Sequence, residues 1–272
     1  MSLLLQVSDT HFGTEQAAVV AALQTLVREQ APDVLLLSGD ITQRARRAEF
    51  AAARRFVDAL AIPRVLALPG NHDIPLFNLY ARLRHPYANY QRCFGTELAP
   101  VLDTDDVLVI GVNTSRAARH KDGAVSTAQI ENVAERLRRA TPSQLRIVVT
   151  HQPVHVYRES DAVNLLHGHE AAVRAWALAG ADLILGGHIH LPYVRPLRER
   201  YVDLGRELWC VQAGTAVSSR IRAEAPNSVN LIRVDTAAPR SQCQVERWDY
   251  RVDAGFAPVH ETRIEVDRTA FV

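Results

Sequence analysis

Short aliphatic runs alternate with polar clusters and amphipathic helical patterns along the first two thirds of the chain. The first unit begins with a strand at Leu3–Val7 and leads into a helix that Thr14 can cap and that reaches about Gln30. The same patterns predict strands at Val34–Leu37, Val65–Leu68, Val107–Val112, Ile147–Thr150 and Leu183–Leu185, and helices to about Leu60, near Ser126–Arg139 and near His169–Ala179. Such alternation predicts a largely parallel sheet covered by helices.

The pattern changes beyond residue 194. Runs typical of strands follow one another there without a long helix between them, at Leu208–Ala213, Val229–Val234 and Gln244–Val252. We therefore expect a single domain over residues 1–272, with an α/β core at 1–194 and a β-rich segment at 195–272 that forms a second, more antiparallel sheet. The predicted fold class is α/β, a two-sheet β-sandwich flanked by helices.

Composition limits the class of protein further. Of 272 residues, 47% are hydrophobic and 22% charged, which predicts a soluble globular protein with a sizeable core. A net charge of +1 gives no general attraction to nucleic acid or to an anionic membrane. The three cysteines are far apart, and the N-terminal apolar run is too short for a signal peptide. We expect a cytoplasmic protein without a membrane partner.

Polar clusters follow five of the predicted strands. They are Asp9-x-His11, Gly39-Asp40, Gly70-Asn71-His72-Asp73, Thr150-His151 and Gly187-His188-Ile189-His190. Open α/β sheets gather their ligand sites at the carboxyl ends of strands, so these side chains are expected to meet. A spacing of two projects both members of a pair to one side of an extended segment. The glycines allow sharp turns and leave room for ions or phosphate.

These clusters supply two carboxylates, one amide oxygen and four imidazoles, and no thiolate. Mixed nitrogen and oxygen ligands suit Mn(II), Fe(II/III) or Zn(II). Seven groups are too many for one catalytic ion with an open position, but they fit two ions if one carboxylate bridges. Two metals ~3.5–4 Å apart are a common device for displacement at phosphorus. The sequence therefore predicts a metal-dependent phosphoesterase.

The order D-x-H, G-D, G-N-H-D, H and G-H-x-H, from residue 9 to residue 190, closely resembles the calcineurin-like metallophosphoesterase superfamily. The resemblance implies a double β-sandwich flanked by helices, with the metal-binding core in residues 1–194. It implies that one metal is held by Asp9, His11, Asp40 and His190, and that Asp40 bridges to a second held by Asn71, His151 and His188. It further implies that His72 is the general acid and, with Asn71, contacts the substrate phosphate. Asp73 is expected to fix the turn.

Differences from the motifs of other families in this superfamily indicate which ester is cleaved. The chain lacks the G-D-x-V-D-R-G and G-N-H-E motifs of protein Ser/Thr phosphatases and the tyrosine ligand of purple acid phosphatases, and it has His72 where lipid A-pathway pyrophosphatases have arginine. It is most similar to bacterial cyclic-nucleotide and glycerophosphodiester phosphodiesterases. That similarity implies hydrolysis of a small phosphodiester, such as a cyclic nucleotide, by metal-hydroxide attack. The alternatives are a DNA or RNA nuclease, which needs an extended basic groove, a phosphomonoesterase and a non-catalytic scaffold.

Several features stay open at this point, among them the native metal, the oligomeric state and the physiological substrate. Three histidines match no ligand position and are expected at the surface or at a helix start, with phosphate contact as the alternative: His155, His167 and His169. Five arginines between Arg44 and Arg55 predict a solvated helix face, with contact to a polyanion as the alternative. The aromatic residues that follow Asp73 are expected to pack, and some could form a substrate cap or a subunit contact: Phe77, Tyr80, Tyr87, Tyr90 and Phe94. Arg220 and Arg222 could steer a substrate phosphate.

Overall fold

The computed structural model describes residues 2–222, 225–235 and 242–266. In chain order, the strands of these residues are β1 Ser2–Val7, β2 Val34–Ser38, β3 Arg64–Leu68, β4 Val101–Asp103, β5 Val107–Gly111, β6 Leu145–Val149, β7 Leu183–Gly186, β8 Tyr193–Pro196, β9 Trp209–Gln212, β10 Ser228–Asp235, β11 Gln242–Arg251 and β12 Gly255–Glu265. Each aliphatic run predicted as a strand forms one. β4, β8 and β12 were not predicted, because β4 has only three residues and the other two contain a proline.

The α-helices are α1 Ala17–Gln30, α2 Arg47–Leu60, α3 Leu79–Arg84, α4 Ala88–Phe94, α5 Thr127–Arg138 and α6 His169–Leu178. Helix α5 begins at a Ser126 side chain that accepts a hydrogen bond from the Gln129 amide. The predicted cap of α1 is wrong. The hydroxyl of Thr14 donates instead to the carbonyl of His11 at 2.9 Å, and the helix begins after Gln16 without a side-chain cap.

The strands form two six-stranded sheets, ordered β12-β11-β10-β1-β2-β3 and β4-β5-β6-β7-β9-β8. Strands β1, β2 and β3 are parallel, and so are β5, β6, β7 and β9. The prediction that the C-terminal third forms the second sheet by itself is wrong, because β9 completes one sheet and β10–β12 extend the other. A buried contact favours this pairing: the Asn230 amide of β10 donates to the Gln6 side chain of β1 at 2.9 Å.

The two sheets face each other, and helices cover their outer faces. The central layer joins side chains of both sheets, including Leu4, Leu36, Leu66 and Ile232 from the first and Val109, Ile147, Leu183 and Val211 from the second. A second apolar cluster packs α1 and α2 on the first sheet, and a third packs α5 and α6 on the second. This arrangement confirms the predicted α/β sandwich flanked by helices. No helix among the described residues is long and apolar enough to cross a membrane.

Candidate metal centre

The polar clusters of the sequence all lie at one edge of the sandwich, at the carboxyl ends of parallel strands from both sheets. Asp9 and His11 follow β1, Asp40 follows β2, Asn71 and His72 lie in a 3-10 turn after β3, His151 follows β6, and His188 and His190 follow β7. The structure thus brings together all eight side chains that the sequence singled out. All except His72, His188 and His190 are buried.

The donor atoms form two groups that meet at one carboxylate. In the first, Nε2 of His190 lies 3.2 Å from Oδ1 of Asp9 and 3.1 Å from Nε2 of His11. In the second, Nε2 of His151 lies 3.3 Å from Oδ1 of Asp40, with His188 close by. The other oxygen of Asp40 is 3.8 Å from Nε2 of His11 in the first group. One carboxylate therefore faces both groups, as a bridging ligand must.

Within each group the donor atoms of the acidic and histidine members lie within 4.8 Å of one another, which is close enough to hold one cation. Buried polar atoms at the second group test this fit. Oδ1 of Asn71, Nε2 of His151 and Nδ1 of His188 have no hydrogen-bond partner among the residues that the structure describes. Leaving such an atom unsatisfied costs about 1–3 kcal/mol. A cation ligated by all three would remove that penalty, so the residues present fit a metal ion.

The rings of two of these histidines are oriented by backbone carbonyls. Nδ1 of His151 donates to the carbonyl of Ser38 at 2.8 Å, and Nδ1 of His190 donates to the carbonyl of Arg220 at 2.5 Å. Because a carbonyl only accepts, the proton of each neutral ring must lie on Nδ1. The lone pair of Nε2 then faces the site, which is the usual arrangement for a metal-ligating histidine.

The backbone at this edge is strained. Five candidate ligands adopt a left-handed conformation that residues other than glycine rarely occupy, with φ of 52° at Asp9, 42° at His11, 48° at Asp40, 73° at His188 and 54° at His190. Each such residue costs about 1–3 kcal/mol and persists only where its surroundings hold it. Hydrogen bonds between the loops hold this conformation here. The N–H of Asp9 donates to the carbonyl of Gly39, and the N–H of His11 donates to the carbonyl of Asp40, both at 3.0 Å.

Two motif glycines are required by close contacts with candidate ligands. Gly39 has a φ of +102°, and a Cβ built on it would lie 2.3 Å from Nδ1 of His151. A Cβ on Gly70 would lie 2.2 Å from both the backbone nitrogen and Oδ1 of Asp40. We predicted that this space leaves room for ions or phosphate. At these two glycines the prediction is wrong, because the candidate ligands His151 and Asp40 themselves occupy the space.

Charge is divided unevenly among the four histidines. Burial lowers the pKa of His151, but the carboxylate of Asp40 outweighs burial and raises that pKa to about 9. His190 behaves in the same way beside its own carboxylate neighbour, which raises its pKa. In His11 and His188 burial prevails and lowers the pKa to about 3 and about 4. Binding of a cation here would require His151 and His190 to release these protons, because only a neutral imidazole ligates.

His72 lies at the boundary between this cluster and an open cleft. Its backbone N–H donates to Oδ1 of Asp40 at 2.8 Å, and its Nδ1 donates to the carbonyl of Gln43 at 2.9 Å. Nε2 then points away from that carbonyl and lies 3.3 Å from a guanidinium nitrogen of Arg220. The same nitrogen of Arg220 donates to the Gln43 side chain at 2.9 Å. His72 is therefore held from both sides.

Asp73 fixes the turn that carries Asn71 and His72. Its carboxylate accepts from the amides of Gly70 at 2.8 Å, Ile41 at 3.0 Å and Thr42 at 2.8 Å, and from the Thr42 hydroxyl at 2.8 Å. Burial and the nearby Asp40 charge raise the pKa of Asp73 to about 6, while these hydrogen bonds oppose the rise. The carboxylate ties the loop after β2 to the turn after β3.

The three unassigned histidines contact other residues. The predicted surface or helix-start position is wrong for His155, which is buried in a loop beside Glu199. His169 lies at the start of α6, where its Nδ1 contacts the Tyr201 hydroxyl at 2.6 Å, and His167 is exposed beside Asp122. Sequence reasoning missed Gln43, Arg82 and His120, which line the cleft next to His72. Gln43 could have been found from the sequence, because it follows Asp40 by only three residues. Arg82 and His120 come from segments without a motif, and only the folded chain brings them here.

A helix-flanked β-sandwich with such a donor set at one edge is typical of metal-dependent hydrolases. The model of the calcineurin-like phosphoesterase family matches residues 3–192, well over half of the chain. The protein therefore belongs to the calcineurin-like phosphoesterase family and is a hydrolase of phosphoesters. The family predicted from the order of the motifs is confirmed.

Relatives and solved structures agree with this assignment. A probable cyclic nucleotide phosphodiesterase from Synechococcus sp. is 25% identical over 202 residues, or 71% of this chain and 74% of that protein. The glycerophosphodiester phosphodiesterase GpdQ of Enterobacter lignolyticus is 39% identical over 84 residues, which are 26% of this chain and only 29% of that protein. A dimetal phosphatase from Danio rerio superimposes with a TM-score of 0.67 at 13% identity, covering 98% of this chain and 99% of its own. That likeness shows a shared fold.

Proposed function

We propose that the protein is a two-metal phosphodiesterase that hydrolyses a small phosphodiester, such as a cyclic nucleotide. The observation that carries the proposal is the pair of donor groups that meet at Asp40. A phosphodiester is the preferred substrate class because the two relatives described above are named as phosphodiesterases. The cleft beside His72 encloses about 240 Å³, close to the lower end of small-molecule sites, which supports a small substrate.

In this proposal, seven side chains hold the two cations. Asp9, His11, Asp40 and His190 hold the first, and Asp40, Asn71, His151 and His188 hold the second. Bound cations supply Lewis acidity, which lowers the pKa of water and offsets negative charge on phosphoryl oxygens. Because the donors are imidazole, carboxylate and amide groups, we propose Mn(II), Fe(II/III) or Zn(II) as the metals.

His72 is proposed as the group that protonates the leaving oxygen and contacts the substrate phosphate together with Asn71. Nδ1 of His72 already carries a proton, since it donates to the carbonyl of Gln43. Donation from Nε2 therefore requires the doubly protonated ring. Once Nε2 has released its proton, Arg220 at 3.3 Å can donate to the lone pair left behind. The contact with the Gln43 carbonyl can therefore position the ring before and after proton transfer, and the contact with Arg220 only after it.

We also propose a cytoplasmic location. Its support is the state of two of the three cysteines, since Cys93 and Cys210 are free thiols and Cys210 is buried. Free thiols persist in reducing compartments. Fractionation of source cells with an antibody against the protein tests this, and recovery outside the cytoplasmic fraction contradicts it.

The test of the proposed function is a substrate panel with metal analysis. Protein reconstituted with Mn(II) is expected to bind two metal ions per chain and to hydrolyse bis(p-nitrophenyl) phosphate and at least one 3′,5′- or 2′,3′-cyclic nucleotide. Activity on p-nitrophenyl phosphate is expected to be lower. Two bound metals without diesterase activity would exclude the proposed substrate class, and failure to bind metal would exclude the ligand set.

A further inference from the structure

Three arginines line the cleft beside His72 and Asn71. They are Arg44 from the loop after β2, Arg82 from α3 and Arg220 from the segment before β10. The contacts of Arg220 with Gln43 and His72 are described above. The guanidinium of Arg82 donates to the carbonyls of Pro75 at 3.1 Å and Arg119 at 2.7 Å. That of Arg44 lies 5.4 Å from the centre of the Phe77 ring.

None of these three guanidinium groups forms an ion pair within 4.0 Å among the described residues. Arginines elsewhere commonly do, with nitrogen–oxygen distances of 2.6 Å for Arg206 and Asp182, 2.7 Å for Arg233 and Glu246, and 2.6 Å for Arg247 and Asp249. Within the part of the chain that the structure describes, no carboxylate in contact with these guanidinium groups compensates their positive charge. Because the whole chain has a net charge of only +1, this charge is a local feature.

The charge of the cleft exceeds what one phosphodiester requires. Asp9 and Asp40 are the two carboxylates among the proposed ligands, so two divalent cations with one metal-bound hydroxide would already balance a substrate group that carries one negative charge. Arg220 lies next to His72 and can serve the phosphate that is cleaved. Arg44 and Arg82 form no hydrogen bond with His72, and their charges are left for another anion.

We propose that this cleft binds a second phosphoryl group, so that the preferred small phosphodiester carries a phosphate in addition to the one that is cleaved. The proposal rests on the proposed function and narrows its substrate class. A guanidinium matches the oxygens of a phosphate as a two-pronged donor, and such charge-assisted hydrogen bonds are strong. Ile74 and Leu76 also line the cleft, and they offer apolar contact to the organic part that joins the two phosphates.

The direct test compares two substrates that share the cleaved bond and the leaving group. Thymidine 5′-(p-nitrophenyl phosphate) and its 3′-phosphorylated form are assayed with the Mn(II)-loaded protein. We expect kcat/KM to be at least about tenfold higher for the 3′-phosphorylated substrate, which corresponds to one good charge-assisted contact. The gain is expected mainly in KM, because the second phosphate does not react. Equal or lower kcat/KM would overturn the proposal.

A charge-removing variant tests whether Arg44 makes the contact. Arg44 is exposed and lies outside the helices, so Arg44→Gln leaves the packing intact. We expect it to reduce the preference for the 3′-phosphorylated substrate about tenfold. Arg47→Gln makes the same change on the exposed first turn of α2, outside the cleft, and is expected to keep the preference. An Arg44→Gln protein with an unaltered preference contradicts this assignment.

Binding without turnover separates this proposal from the proposed function. Calorimetry is expected to show that thymidine 3′,5′-bisphosphate binds at least about tenfold more tightly than thymidine 5′-monophosphate, even if neither diester is hydrolysed. Hydrolysis of both diesters without a preference removes only the second phosphate site. If a single-stranded oligothymidylate binds more tightly than the bisphosphate, the small-substrate form is wrong and the nuclease alternative is favoured.

Discussion

Two neighbouring regions of the molecule differ sharply in how they are built: the metal edge, formed by the candidate ligands, and the cleft wall, residues 74–84. At the metal edge Asp9 and His11 are fully buried. On the cleft wall Phe77 is 76% exposed and Leu83 is 75% exposed. The side chains proposed for the chemistry thus lie at strand ends, whereas Arg82, one of the two arginines proposed for substrate choice, lies on a largely exposed segment. This division is common in enzymes, where loops on a rigid scaffold select the substrate.

The two regions also differ in what holds them in place. At the metal edge, buried hydrogen bonds from side chains to backbone groups of other loops fix each turn, as Asp73 does for the turn after β3. The cleft wall has fewer such contacts, chiefly those of Arg82 with two carbonyls and of Asn78 with the Ala81 amide at 3.0 Å. Changes at the metal edge are therefore expected to have far larger effects than changes on the wall.

The largest effect is expected from Asp40→Asn. The amide keeps the volume and can still accept from the His72 amide, but it cannot neutralise two cations. We expect hydrolysis of bis(p-nitrophenyl) phosphate to fall by at least about 10³-fold, together with the loss of at least one metal per chain. Elemental analysis and the rate assay measure both. Asp58→Asn, on the exposed face of α2, is the matched control. A variant that retains two metals and the full rate would contradict a bridging role.

Replacing His72 should give a smaller and more selective loss. We expect His72→Ala to keep both metals and to lower kcat by about 10²-fold or more with an alkoxide leaving group, as for removal of a general acid. The loss should be smaller with p-nitrophenolate, which needs little protonation to depart. Rates for a cyclic nucleotide and for bis(p-nitrophenyl) phosphate make the comparison. An equal loss with both leaving groups would indicate that His72 only binds phosphate.

The metal edge could be predicted from the sequence almost completely, for a physical reason. The candidate ligands follow runs such as Val34–Leu37, whose continuous apolar character fixes them as buried parallel strands, and the ends of such strands meet at one edge. The same short motifs therefore predict both the types of candidate ligand and their position at the edge of the sheet. The roles of the individual side chains stay predictions until metal is bound and measured.

The cleft and the sheet order could not be predicted in the same way. Arg82 and His120 reach the cleft from segments without a motif or a regular apolar pattern. The assignment of β10–β12 to the first sheet depends on long-range pairing of β10 with β1, which local patterns do not encode. The aromatic residues that follow Asp73 differ in burial, and local patterns do not encode this difference either. Tyr90 is buried and donates to the Ala67 carbonyl at 2.7 Å, while Phe77 is exposed.

The free energy of unfolding should also distinguish the metal edge from the cleft wall. Asp73→Ala removes an acceptor of four hydrogen bonds and leaves the buried donors of Gly70, Ile41 and Thr42 without partners. We expect the free energy of unfolding to fall by about 3–5 kcal/mol, since unsatisfied buried groups are among the most destabilising changes. Urea denaturation of the metal-free protein measures this loss. Glu97→Ala, whose carboxylate accepts one exposed hydrogen bond, is expected to change little.

The smallest effect is expected on the cleft wall, where Tyr80 is 72% exposed. Tyr80→Ser should change the free energy of unfolding by no more than about 0.5 kcal/mol, because little packing is lost. The same substitution at the buried Tyr90 should cost about 3 kcal/mol or more, since it leaves a large cavity. Thermal unfolding at two protein concentrations makes the comparison decisive. If Tyr80→Ser destabilises the protein as Tyr90→Ser does, and only at the higher concentration, a second copy covers the wall. The wall would then be an interface between subunits and could not be a free entrance to the cleft.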